Sequence, residues 1–336
     1  MALRELERQR RLAARGRPCD KHRPLLTILQ RMVQVVPRLA SLVATLIAGP
    51  GVLDDNVVAR ARTALPAAAE TQWLAPGTAL DLSFSAESGT DQGALAGEIR
   101  GAVNAGVDVV VQPADSRRKR LFLADMDSTM IGQECIDELA DFVGLKAHVA
   151  AITERAMRGE IAFEPALRER VALLKGLPVT VVDEVLRDRI KLTPGGRTLI
   201  ATMRKHGAYT CLVSGGFTLF TDRIAAMIGF DANRANSLDV VEERTLAGTV
   251  AEPIFGRDGK RATLIELRDR FRLAPIETMA VGDGANDMAM IADAGLGVAY
   301  HAKPKVAAMA RARIDHNDLS ALLYVQGYRR EEFVEV

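Results

Sequence analysis

The chain has 336 residues, with 44 basic and 43 acidic side chains and a net charge of +1, a balance that offers no general attraction to nucleic acid or to an anionic membrane. Its apolar fraction of 48% fits a globular α/β protein of two or three domains, and the longest apolar run, residues 39–49, is too short to span a bilayer. Three separated cysteines, Cys19, Cys135 and Cys211, form no CxxC pair, which argues against a disulfide framework or a zinc site and for a reducing, cytoplasmic setting.

Residues 1–38 open with the Arg-rich "MALRELERQRRLAARGRPCDKHR" and read as a basic, flexible leader, with the native product expected to begin near Met32. Over 39–116 strand and helix signals alternate. "LASLVATLIAG", two pieces around "ETQWLAPGTALDLSFS" and "VDVVVQP" read as strands. "LDDNVVARARTALP" and "DQGALAGEIRGAVNAG" carry helical apolar spacing, with Asp54 and Asp91 at N-termini and Gly106 near a C-terminus. The order βαββαβ predicts a four-stranded sheet with two helices on one face, a ferredoxin-like layout. In topology it resembles the ACT-like modules attached to amino-acid enzymes. That resemblance implies an amino-acid sensor or a module for docking and homodimer formation.

Residues 117–336 begin with "LFLA" at 121–124, a run fit for a strand buried on both faces of a parallel sheet. Residues 134–190 then contain about four helical segments and no strand, which predicts a helical cap inserted after the first strand, over the crevice at the strand ends. The sheet resumes with "AYTCLVSGG" at 208–216 and "TMAVGDGAND" at 278–287. Between them "NSLDVVEERTLAGTVAEPIF" reads as a hairpin and "KRATLIELRDRF" as a helix.

Three of these runs end in polar residues: "DMDST" at 125–129, "VSGGF" at 213–217 and "GDGAND" at 282–287, with Lys260 before the last. In open α/β sheets ligands bind at the carboxyl ends of strands. Taken in this order the three stretches resemble those of the haloacid dehalogenase-like phosphatases, and since a phosphate monoester is anionic and hydrolyses slowly, such a catalyst must neutralise charge and align a nucleophile. Asp125 would attack phosphorus and form an aspartyl-phosphate, while Asp127 would protonate the leaving oxygen and later take a proton from water.

In this constellation and its order the chain resembles the haloacid dehalogenase-like phosphatases. Over about 120–325 it closely resembles the phosphoserine phosphatases, including the cap pieces "QECIDELA" and "AMRGEIAFEPALRERVALLKGL" and the later "AYHAKP". The resemblance implies a Rossmann-like core, hydrolysis of L-phosphoserine as the last step of serine biosynthesis, and Mg²⁺. The ion would be held by the carboxylates of Asp125 and Asp283 and the backbone carbonyl of Asp127, with Asp287 behind them. Ser214, Gly215, Gly216 and Lys260 would hold the phosphate, and Asn286 would orient Lys260 or the phosphate. Glu134 would take the substrate ammonium and Arg170 its carboxylate, under a cover of Phe163 and Met157.

Two rivals keep an aspartate at a strand end. A receiver-like signalling module has its acidic partners earlier in the chain and no cap, and the second aspartate two residues on speaks against it. A phosphotransferase of the same fold would pass the phosphate to another alcohol, such as homoserine, and the residues leave that reading open.

Overall fold

The structure is a computed structural model that describes residues 39–103, 106–115 and 117–336. The basic leader, the start near Met32 and Cys19 lie outside the described residues. No helix among the described residues is long and apolar enough to cross a membrane.

The first layer is an antiparallel sheet of β1 (Leu39–Ala48), β2 (Glu70–Ala75), β3 (Ala79–Glu87) and β4 (Val107–Pro113) in the order β2-β3-β1-β4, with α1 (Asp55–Thr63) and α2 (Gln92–Ala102) between its strands. The βαββαβ order is the expected one. Asp54 caps α1 by accepting from Val57 N, and Asp91 caps α2 by accepting from Gly93 N and Ala94 N. Side chains alternate across the sheet with period two. Leu42, Leu46, Leu80, Leu82, Val109 and Val111 join α1 and α2 in one apolar cluster, while Ile47, Ala79 and Val110 point the other way and join the main core.

The second layer is a six-stranded sheet in the order β12-β11-β10-β5-β6-β7, all of whose pairings are parallel. Its strands are β5 (Leu121–Ala124), β6 (Tyr209–Phe217), β7 (Ala232–Asn236), β10 (Thr278–Gly282), β11 (Leu296–Tyr300) and β12 (Ala312–Ile314). All of β5 is buried, as its apolar run requires. Between β5 and β6 come the cap helices α3 (Cys135–Asp141), α4 (Lys146–Met157), α5 (Phe163–Ala172) and α6 (Val181–Asp188), and then α7 (Gly196–Lys205), which packs back on the sheet. A hairpin, β8 (Leu238–Val241) with β9 (Thr245–Val250), lies against α5 of the cap. Helices α8 (Thr218–Ile228), α9 (Arg257–Arg270), α10 (Met288–Asp293), α11 (Pro304–Met309) and α12 (Ala321–Val325) complete the core.

Candidate active site

β5, β6 and β10 are neighbours in the sheet, and their carboxyl ends bring the three polar stretches together. Asp125 directly follows β5, and its backbone N–H still donates to Val281 O of β10. Its carboxylate is 2% exposed. Oδ1 accepts from Met126 N at 2.7 Å and lies 2.6 Å from Lys260 Nζ. The chain then makes a tight turn in which Ser128 takes a left-handed φ of 55°, a region that non-glycine residues enter sparingly and often at functional sites. The turn sends the Asp127 side chain across to β6 and the start of α3. There Oδ1 accepts from Cys135 N at 3.0 Å and Oδ2 from Ser214 Oγ at 3.4 Å.

Lys260, on the first turn of α9, is fully buried between Asp125 and Asp287, the latter accepting at 2.7 Å. Burial alone would lower its pKa, but the two carboxylates push harder and hold it above the ordinary lysine value. One lysine does not balance the acids around it. Burial first, and then the charge of Asp287, push the Asp125 carboxyl well above the usual range, and Asp283 is driven the same way by burial and by Asp125 and Asp287. Carboxylate oxygens of Asp125, Asp283 and Asp287 lie within 4.8 Å of one another, all buried. A dry cluster of hard oxygen donors with uncompensated negative charge is the setting that suits a divalent cation with oxygen preference. Asp287 has both oxygens engaged, Oδ1 by Lys260 and Oδ2 by Gly284 N at 3.1 Å.

A cavity opens above Asp125 and Asp127 and is bordered from the cap by Glu134, Met157, Phe163 and Arg170 and from the core by Gly215, Gly216 and Asn286. The glycines are required by contact. A Cβ on Gly215 would come within 2.8 Å of the Phe163 ring, and one on Gly216 within 3.0 Å of both Asp127 Oδ2 and Ser214 Oγ. Glu134 accepts from Ser128 Oγ at 2.6 Å, and burial followed by the charges of Asp127 and Asp283 raises its pKa well above the usual value. Ser214 and Lys260 are not on the cavity wall itself. Ser214 Oγ is turned to accept from Gly216 N at 2.8 Å, and Lys260 stands behind Asp125. The expected orientation of Lys260 by Asn286 is not what the structure shows: Asp125 and Asp287 hold the lysine, and Asn286 Oδ1 is buried without a partner. Two of the three ammonium donors of Lys260 go to charged acceptors, and no bond joins it to Asn286 among the described residues.

A family model for haloacid dehalogenase-like hydrolases matches residues 122–292. The chain belongs to the haloacid dehalogenase-like hydrolases. The phosphoserine phosphatase of a Polaromonas species is 47% identical over 208 residues, 61% of this chain and 88% of that protein. A haloacid dehalogenase family hydrolase from Salmonella enterica serovar Typhi superposes with a TM-score of 0.74 at 28% identity, covering 85% of this chain and 98% of that one. A phosphoserine phosphatase solved as an analogue of its phospho-aspartyl intermediate matches with a TM-score of 0.59 at 37% identity, over 62% of this chain and 98% of that one. Hydrolases of this family that act on phosphate esters are generally metal-dependent, and the buried acids of this chain fit such an ion.

Within this family frame some site residues carry no sequence signal. Cys135 binds Asp127 through its backbone amide, which any residue type would supply. Thr153 and Ile136 border the cavity from α4 and α3, but a threonine or isoleucine on an amphipathic helix reads as ordinary core. Only the cap's folded position over the strand ends makes them visible.

Proposed function

We propose that the chain is an Mg²⁺-dependent phosphatase that hydrolyses L-phosphoserine to L-serine and phosphate, the closing step of serine biosynthesis. The observation that carries this reading is one cavity bordered both by an aspartate pair at a strand end and by a cap acid and a cap arginine, Glu134 and Arg170. Phosphoserine offers three charged groups, and the cavity wall has a complement for two of them, the carboxylate and the ammonium. Arg170 suits the carboxylate, since a guanidinium grips a carboxylate through two parallel hydrogen bonds. Glu134 suits the ammonium, whose charge would offset the burial that raises the acid's pKa.

Asp125 Oδ1 is occupied by Met126 N and Lys260, so Oδ2 is the oxygen left to attack. Attack by Oδ2 forms a P–O bond to Asp125 and breaks the bond between phosphorus and the serine oxygen. Asp127 delivers its proton to that oxygen. Burial raises the pKa of Asp127, against the pull of the Cys135 amide and thiol, and this favours a protonated form able to donate. In the second half Asp127 takes a proton from water, whose oxygen attacks phosphorus and frees Asp125. Asp125, Asp283 and the Asp127 carbonyl would hold Mg²⁺, which neutralises phosphate charge so that an anionic nucleophile can approach. Phe163 and Met157 cover the site and exclude bulk water.

The test is phosphate release from phosphoserine, phosphothreonine, phosphoethanolamine and sugar phosphates, with and without Mg²⁺, and with and without homoserine as acceptor. Phosphoserine with Mg²⁺ and no acceptor is expected to be the fastest. A requirement for homoserine would replace hydrolysis by transfer. Asp125→Asn is expected to lose essentially all turnover with an unchanged melting temperature, and wild-type release by that variant would remove the covalent step.

A further inference from the structure

Arg170 is 4% exposed, inside the cap. Its guanidinium is held at two points, Nε donating to the Ala166 carbonyl at 3.0 Å and Nη1 to Thr153 Oγ1 at 2.9 Å. Thr153 in turn donates to Asp137 Oδ1 at 2.7 Å, with the Val149 carbonyl at 3.0 Å as a second acceptor. Asp137, Thr153 and Arg170 stand on α3, α4 and α5 and are all buried. A helical threonine often satisfies its hydroxyl on the carbonyl four residues back. Here the shorter contact goes to a charged acceptor on another helix, which turns the oxygen's lone pairs towards Arg170 and polarises the chain of bonds.

The charges of Asp137 and Arg170 therefore meet through a hydroxyl, and no direct ion pair joins them among the described residues. That routing has a chemical consequence. A direct pair would occupy the planar end of the guanidinium and compete with any carboxylate entering the cavity. The relay uses one hydrogen of Nη1, Nε is used by Ala166, and three of the five N–H donors remain on Nη1 and Nη2.

We infer that Thr153 and Asp137 are positioning residues for substrate selectivity: their relay fixes the Arg170 guanidinium so that its open fork takes the carboxylate of the substrate. This rests on the phosphoserine reading above. It assigns discrimination between amino-acid and simple amine phosphates to three cap helices acting together.

The experiment compares Thr153→Val, which keeps the shape and removes the hydroxyl, with Thr153→Ser, which keeps the hydroxyl, on phosphoserine and on phosphoethanolamine, which has no carboxylate. Thr153→Val is expected to raise KM for phosphoserine on the order of tenfold with kcat little changed and phosphoethanolamine unaffected, and Thr153→Ser is expected to restore KM. Asp137→Asn should follow Thr153→Val in the same direction. Equal losses on both substrates, or no loss on either, would overturn the relay and leave these residues as cap structure. A wild-type enzyme with no preference between the two substrates would instead defeat the reading of Arg170 itself, before any relay variant is compared.

Discussion

Two buried lysines show how the same desolvation is resolved in opposite ways. Lys260 lies between two carboxylates and its charge is secured, its pKa held above the ordinary value. Lys119, 4% exposed, donates to the Ile276 carbonyl at 2.9 Å, and burial together with the charge of Arg117 pushes its pKa down to about 8. The unfolded value is about 10.4, so between about pH 8 and 10.4 the unfolded chain holds more protons than the folded one, and in that window stability rises with pH. Below it the cost of the buried ammonium is complete. The unfolding free energy of the wild type minus that of Lys119→Met, from urea titrations, is expected to rise between about pH 8 and 10. A difference that stays flat across that range would mean the ammonium is solvated in the folded protein.

At the scale of elements, glycine marks where helix and strand approach most closely. β11 pairs with β10 and β12, and all five of its residues are buried. A Cβ on Gly297, the second residue of β11, would collide with the backbone carbonyl of Ile291 on α10. A backbone obstacle cannot rotate away as a side chain can. Gly297→Ala is therefore expected to lose about 1–3 kcal/mol of stability, read from the denaturant midpoint at unchanged slope, and an unchanged midpoint would mean that α10 shifts freely.

The same glycine explains what the sequence hid. "LGVAY" has a glycine as its second residue, a poor strand signal, although that glycine is what lets α10 pack. "ANRAN" of β7 has no apolar alternation because it is a half-exposed edge strand, and β12 is three residues long. By contrast β5, β6 and β10 were legible, since both faces are covered and their residues are continuously apolar up to the point where the chemistry begins. Asp125, Ser214 and Asp283 were legible for that reason, by abrupt polarity at the end of an apolar run. Glu134, Phe163 and Arg170 were reached only through family resemblance, and Thr153 and Asp137 not at all, because a contact between helices leaves no mark in either helix's own period.

For the whole molecule the decisive feature is the second face of the antiparallel sheet. The sheet's topology resembles modules that sense an amino acid or serve for docking and homodimer formation. In the structure the chain's own core covers one end of that face, while Ser41, Glu70, Gln72 and Ser85 at its other end are exposed. Ile47, Leu74, Ala75, Ala79 and Val110 share one apolar cluster with Tyr324, Val325 and Tyr328. Polar groups between them are paired across the seam. Arg117 donates to Asp81 at 2.6 Å and to Thr45 at 3.0 Å, and Gln112 donates to the Val325 carbonyl at 2.7 Å. Asp108 accepts from the backbone amides of Asp315, His316 and Asn317, which follow β12. Cutting the chain at Arg117 removes the acceptors of those three amides and the carboxylate partner of a partly buried guanidinium, and it bares the apolar surface beneath. Buried polar groups left without partners are costly. We therefore expect a chain beginning at Arg117 to melt well below the full chain and to self-associate in light scattering, although every proposed catalytic residue is retained. Asp81→Ala tests the seam in the intact chain, and loss of this carboxylate from a partly buried pair is expected to cost about 1–3 kcal/mol. A truncated chain with the full-length melting temperature and monomer mass would show that the seam adds nothing to the catalytic layer.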